Sequence, residues 1–100
     1  MPVYMIFEIE VKDPGTYAEY MEKVPATVIQ YGRRYLVRGG APTPLTGGWK
    51  PERMIILEFP TAEQMRRWNL SPEYLALAPP RERSTSTRAI ALDGDSPSVA

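Results

Sequence analysis

Four stretches of this chain alternate apolar and polar residues, and two helical stretches fall between them in a fixed order. From Val3 to Val11 one face carries Val3, Met5, Phe7, Ile9 and Val11, and the other carries Tyr4, Ile6, Glu8 and Glu10. A period of two with one apolar face predicts a strand buried on one side. Arg34–Gly40, Glu52–Phe59 and Ser84–Asp93 repeat the pattern and predict three more strands. Between the first two, Asp13-Pro14 reads as a helix start, with Asp13 as cap and Pro14 where a missing N–H costs nothing. Tyr17, Met21, Val24, Val28 and Tyr31 then form one apolar helical stripe, which Pro25 is expected to kink or split and Gly32 to end. After the third strand, Thr61 with Gln64 reads as a capping box, and Ala62, Met65 and Trp68 as the inner face of a helix. Ser71-Pro72 starts a short further turn carrying Tyr74, Leu75 and Leu77, which Pro79-Pro80 is expected to end.

The order β-α-β-β-α-β predicts an α+β, ferredoxin-like fold: a four-stranded antiparallel sheet, order 4-1-3-2, with the helices on one face. One hundred residues suffice for one such domain, placed at 1–93, with 94–100 expected to be a disordered polar tail. Ala41–Lys50 between the middle strands is a Pro/Gly-rich loop carrying Trp49.

The alternation also predicts what the two sheet faces hold. Val3, Met5, Phe7, Ile9, Tyr35, Val37, Ile55, Leu57, Phe59, Ala89 and Ala91 should pack on the helices. The opposite face should carry Tyr4, Ile6, Glu8, Leu36, Arg38, Met54, Ile56, Glu58, Arg88 and Ile90. In the order 4-1-3-2 its charges read Arg88, Glu8, Glu58, Arg38, a transverse row with each outer arginine beside a central carboxylate. Large apolar side chains surround that row and would leave a wide bare patch. The expected cover is a second copy of the chain, giving a homodimer packed sheet against sheet through Glu8, Arg38, Glu58 and Arg88.

Composition excludes much chemistry. The chain has no Cys and no His, which removes disulfides, thiolate catalysis, Cys/His zinc sites, haem on a His or Cys ligand, and the commonest general base. No carboxylate spacing suggests a metal site, and no cofactor is expected. Net charge is zero and no basic stripe is present, so nucleic acid is not an expected partner. No apolar run approaches the roughly 20 residues that cross a bilayer, and no signal peptide is visible, so no membrane association and a cytoplasmic location are expected.

Asp13-Pro14 with Tyr17 and Tyr20, Val24-Pro25, Gly32 followed by Tyr35-Leu36-Val37-Arg38-Gly39-Gly40, Gly47 with Trp49, Glu58-Phe59-Pro60, and Trp68 with Ser71-Pro72-Glu73-Tyr74 together resemble the domain-of-unknown-function 1330 family. That family lies within the dimeric α+β barrel superfamily. The resemblance covers about residues 2–93 and implies the same fold and a homodimer, without an established activity. The wider superfamily includes cofactor-free oxygenases, isomerases, cyclases, haem enzymes and ligand-sensing domains, several with a pocket between sheet and helices.

Against that background Glu58 is the candidate base and Arg38 the candidate electrostatic stabiliser of a cofactor-independent proton-transfer enzyme, an isomerase or cyclase acting on a small organic molecule. Glu58 beside Glu8 would have a raised pKa. Trp49, Trp68, Asn69, Ser71 and Tyr74 are the candidate substrate-binding residues. Each has a plainer reading: core filling for Trp68 and Tyr74, a helix cap for Ser71, a helix end for Asn69, and cover for a partner subunit for Trp49. A cofactor-free monooxygenase of an aromatic substrate and a non-catalytic binding module are the alternatives.

Overall fold

The computed structural model describes residues 2–30 and 34–94, as β1 (Val3–Val11), α1 (Pro14–Gln30), β2 (Arg34–Arg38), β3 (Arg53–Phe59), α2 (Ala62–Asn69), α3 (Pro72–Leu75), α4 (Ala78–Ser84) and β4 (Thr85–Asp93). All strand pairs are antiparallel and the order is β2-β3-β1-β4, the expected 4-1-3-2 read from the other edge. Val3, Met5, Phe7 and Ile9 of β1 and Ile55, Leu57 and Phe59 of β3 are buried on one face, against Tyr17, Tyr20 and Val24 of α1, Trp68 of α2 and Tyr74 of α3. This is the ferredoxin-like α+β arrangement.

Local chemistry starts each helix. Asp13 Oδ1 accepts the Thr16 N–H at 3.3 Å and Oδ2 accepts the Thr16 hydroxyl at 2.8 Å, capping α1. Thr61 caps α2 through the Gln64 N–H, as the sequence predicts. Pro25 does not split α1, which runs unbroken past it. The proline forfeits one backbone bond, while the buried Tyr17, Tyr20, Val24 and Thr27 hold the helix on the core. The expected ends of the stripe, Tyr31 and Gly32, lie outside the described residues, as do the Val28 side chain and the tail beyond Gly94.

Pro79-Pro80 does not end a helix. Both prolines lie in the first turn of α4, where their missing N–H groups would have had no helical partner. The helix continues to Ser84, which the alternation had assigned to the strand. Ser84 is fully buried, its hydroxyl donates to Pro80 O at 2.6 Å, and its carbonyl accepts the Lys12 and Asp13 N–H groups at 2.7 and 3.1 Å. That contact ties the start of α1 to the end of α4.

The faces of β1 and β3 are as the alternation predicts; Ala89 and Ala91 pair with the inward Phe7 and Met5 but stay exposed on the edge strand β4 instead of packing on the helices, and β2 departs further. Arg34 pairs with Glu58 and Tyr35 with Leu57, and then a bulge intervenes, so Val37 faces Ile56 and Arg38 faces Ile55. One extra residue inverts every side chain after it. Val37 therefore joins the open face, and Arg38 moves to the helix side, where its guanidinium lies 3.9 Å from the centre of the Tyr35 ring.

Candidate functional site

The β2 bulge takes Arg38 off the open face and the β1–β3 register separates the two carboxylates, so the expected transverse row does not form. Glu8 faces Arg88 and Met54, whereas Glu58 faces Tyr4, with Arg34 on its other side. The two carboxylates stand four residues apart along the strands, about 13 Å. Arg34, not Arg38, pairs with Glu58, its Nε donating to Oε1 at 2.7 Å while the Tyr4 hydroxyl donates to Oε2 at 3.1 Å. Glu8 accepts from Arg88 and from the Trp49 indole N–H, which folds the loop onto the open face.

These contacts reverse the expected pKa shift. Hydrogen bonding from Arg34 holds the Glu58 carboxyl below the ordinary glutamate value of 4.5, although partial desolvation opposes it. The Arg88 guanidinium, helped by Trp49, does the same for Glu8. A carboxylate whose folded pKa is depressed adds stability above its unfolded pKa, and that stability is lost as pH falls through the folded value. Urea unfolding between about pH 6 and pH 3 should therefore show stability falling below about pH 4.5. The Glu8→Gln, Glu58→Gln double variant should show a shallower acid limb. Identical limbs would mean the two ion pairs contribute nothing to the pH dependence.

A second constellation lies between sheet and helices. Tyr17 and Tyr20 of α1, Tyr35 of β2, Trp68 of α2 and Tyr74 of α3 converge on one narrow cavity floored by Phe7, Ile55 and Leu57. The cavity volume is about 20 Å³, room for about one water molecule. Trp68 is 1% exposed, its ring centre lies 3.9 Å from that of Tyr74 and 5.5 Å from that of Phe59, both pairs tilted, and it donates its indole N–H to the Thr27 hydroxyl at 3.0 Å. Arg81 of α4 donates to the Tyr74 hydroxyl at 2.6 Å, and Tyr20 lines the same cavity, close enough for the Tyr74 phenol to add to the upward shift that burial gives its own. At the other edge Arg53 Nε donates to the Tyr17 hydroxyl at 2.9 Å. Burial is the main force raising the pKa values of Tyr17, Tyr20 and Tyr35, so these phenols are neutral at physiological pH and act as hydrogen-bonding groups, not bases. Beyond Arg81 the cavity gives onto an open cleft of about 340 Å³ between α4 and β4.

Of the candidates read from sequence, Trp68 and Tyr74 meet in this cavity and Arg38 stands at its edge over Tyr35. Ser71 is buried beneath them as a cap, its hydroxyl donating to Trp68 O at 2.7 Å and accepting the Tyr74 N–H at 3.2 Å. Glu58 and Trp49 lie on the opposite sheet face, and Asn69 is exposed at the end of α2. Arg53 and Arg81 were missed. Arg53 was legible, because it continues the inward series Ile55, Leu57, Phe59 and puts a cation on an apolar face. Arg81 gave no signal while Pro79-Pro80 read as a helix end.

Among the described residues, no group of three or more His, Cys, Asp or Glu gathers to hold a metal, and no helix is long and apolar enough to cross a membrane.

The fold is shared with solved structures at low sequence identity. A protein of unknown function from Rhodopseudomonas palustris superposes with a TM-score of 0.78 at 18% identity, over 96% of this chain and 84% of that one. SnoaB, a cofactor-independent oxygenase from Streptomyces nogalater, gives 0.64 at 14%, over 95% and 94%. A dimeric ferredoxin-like protein of unknown function from Jannaschia gives 0.72 at 10%, over 94% and 100%. No curated protein sequence matches the chain. Residues 2–95 match the sequence family described as "Domain of unknown function (DUF1330)", and the chain belongs to that family.

Proposed function

We propose that this protein is a homodimer that binds a small planar organic molecule between its sheet and helices and acts on it without a cofactor. The observation that carries the reading is the convergence of four tyrosines, Trp68 and Arg81 on one cavity. Flat aromatic walls suit a planar ligand, and a few aimed polar groups orient it. The Arg81–Tyr74 pair is suited to stabilise negative charge on the substrate, the part assigned from sequence to Arg38.

Glu58 is not carried forward as the base, because it lies on the other face and Arg34 keeps it a weak one. The described residues lining the cavity include no carboxylate. A substrate that supplies its own acidity, such as a phenol or enol, fits this inventory better than an isomerisation that needs a protein base. Cofactor-independent oxygenation is therefore favoured over proton transfer, and the fold shared with SnoaB is compatible with it.

With a dihydroxynaphthalene as substrate, an oxygen electrode should record uptake that drops at least about tenfold in Tyr74→Phe, the scale of one lost charge-stabilising donor. Uptake equal in wild type and variant would remove Tyr74 from the chemistry. No uptake in either would leave the pocket as a binding site alone.

The homodimer is proposed through the open sheet face, where Ile90 is 58%, Leu92 48% and Leu36 44% exposed. The dimeric Jannaschia protein of the same fold is consistent with this.

A further inference from the structure

The cavity has two polar ends at opposite edges of the sheet. The β4 end holds Tyr20, Tyr74 and Arg81, and Arg81 has the Glu82 carboxylate 3.9 Å away. At the β2–β3 end Tyr17 and Tyr35 line the cavity, Arg53 and Arg38 lie against their rings from outside it, and neither of these arginines forms an ion pair among the described residues. Two guanidiniums without an ion-paired carboxylate, each against the ring of a cavity-lining tyrosine, outnumber the one carboxylate that acts on Tyr17, Glu52, whose Oε2 accepts the Val11 N–H.

The backbone is shaped to bring them there. The β2 bulge turns Arg38 inward. Gly39 follows with φ +73°, its N–H donating to Met54 O at 2.7 Å. A Cβ at Gly39 would lie 2.2 Å from the Arg53 Cζ, so the guanidinium occupies the space that only glycine leaves open. From there Arg53 reaches Tyr17 with Nε, the one Arg53 donor engaged among the described residues. Its terminal amino groups are left to bind an acceptor.

We propose that Arg38 and Arg53 form an anion subsite that selects a planar aromatic carboxylate, with the ring among the tyrosines and the carboxylate on the two guanidiniums. This rests on the reading of the cavity as a ligand site and narrows its substrate class to an aromatic acid. Arginine recognises carboxylates through its planar fork of donors, and at a partly buried site such bonds gain strength over those in water. The ligand must displace side chains at the cavity's edge to enter, and Arg38 on its exposed edge strand is the freest to move.

Benzoate and benzamide have nearly the same shape and differ in charge, which makes them the probes. Isothermal titration of the intact protein should show benzoate binding at least about tenfold tighter, with added salt weakening benzoate alone. Arg53→Ala should abolish the preference by weakening benzoate far more than benzamide. Gly39→Ala, which keeps the charge but evicts the guanidinium, should do the same. Equal affinity for the two ligands in the wild type overturns the anion subsite and leaves the pocket standing. Binding of neither overturns both. A preference that survives Arg53→Ala and Arg38→Ala places the recognition elsewhere.

Discussion

Replacing Trp68 with Ala is expected to cost about 3–5 kcal/mol of folding stability, the range for emptying a large aromatic site in a core. The indole is almost wholly buried between Phe59 and Tyr74, on the line where α2, α3 and α1 meet the sheet. Its removal takes away ring contacts from both neighbours and the hydrogen bond to Thr27 that links α2 to α1. A domain of this size has about 5–15 kcal/mol in all, so the loss is a large part of the total. Urea unfolding should show the midpoint falling sharply with the slope unchanged. Trp68→Phe is the milder change. It keeps one ring in the core but loses the second ring and the N–H to Thr27, so its cost should lie between about 1 kcal/mol, the worth of the hydrogen bond alone, and that of Ala. An Ala variant within 1 kcal/mol of wild type would mean that Trp68 does not organise the cavity wall, and the pocket reading would lose its frame.

Ile90→Glu should convert the proposed dimer to a folded monomer. Ile90 pairs with Ile6 in mid-sheet and stands exposed beside Met54, with Leu92, Leu36 and Val37 also exposed. A monomer would leave this patch in water. Two-fold symmetry makes each substitution count twice, placing two new carboxylates in one apolar interface where each loses its water. The dissociation constant should rise at least about a hundredfold, equivalent to roughly 2.7 kcal/mol. Sedimentation velocity at micromolar protein should show the shift, with circular dichroism unchanged. A monomeric wild type at that concentration would sink the dimer outright, and Ile90→Glu that remains dimeric would move the interface off this face.

The two experiments probe opposite faces of one sheet, and those faces were not equally legible. On β1 and β3 the alternation was sufficient, because both strands are central, regular and paired on both sides. Burial on one face allows them a single register. The helix starts at Asp13 and Thr61 were legible because their signals are local, a side-chain oxygen within three residues of the amide it caps. Pro79-Pro80 misled because a proline pair stops a helix from inside and starts one from its first turn. The sequence between Leu77 and Arg81 is the same in either case.

Sequence by itself determined the order of the four strands and of the two helices that follow Asp13 and Thr61, the apolar face of the central strands, the core tryptophan and the set of chemistries that an absence of Cys and His leaves open. Those follow from short-range periodicity and from residue inventory. Only the tertiary structure decided where the charges go. Whether Arg38 faces the carboxylates or the tyrosines depends on one unpaired residue in β2, and a bulge is defined by the partner strand rather than by the strand that carries it. Whether Glu58 lies beside Glu8 or beside Arg34 depends on the register of β3 against both neighbours. A shift of one residue changes no local propensity, yet it exchanges one face of the sheet for the other.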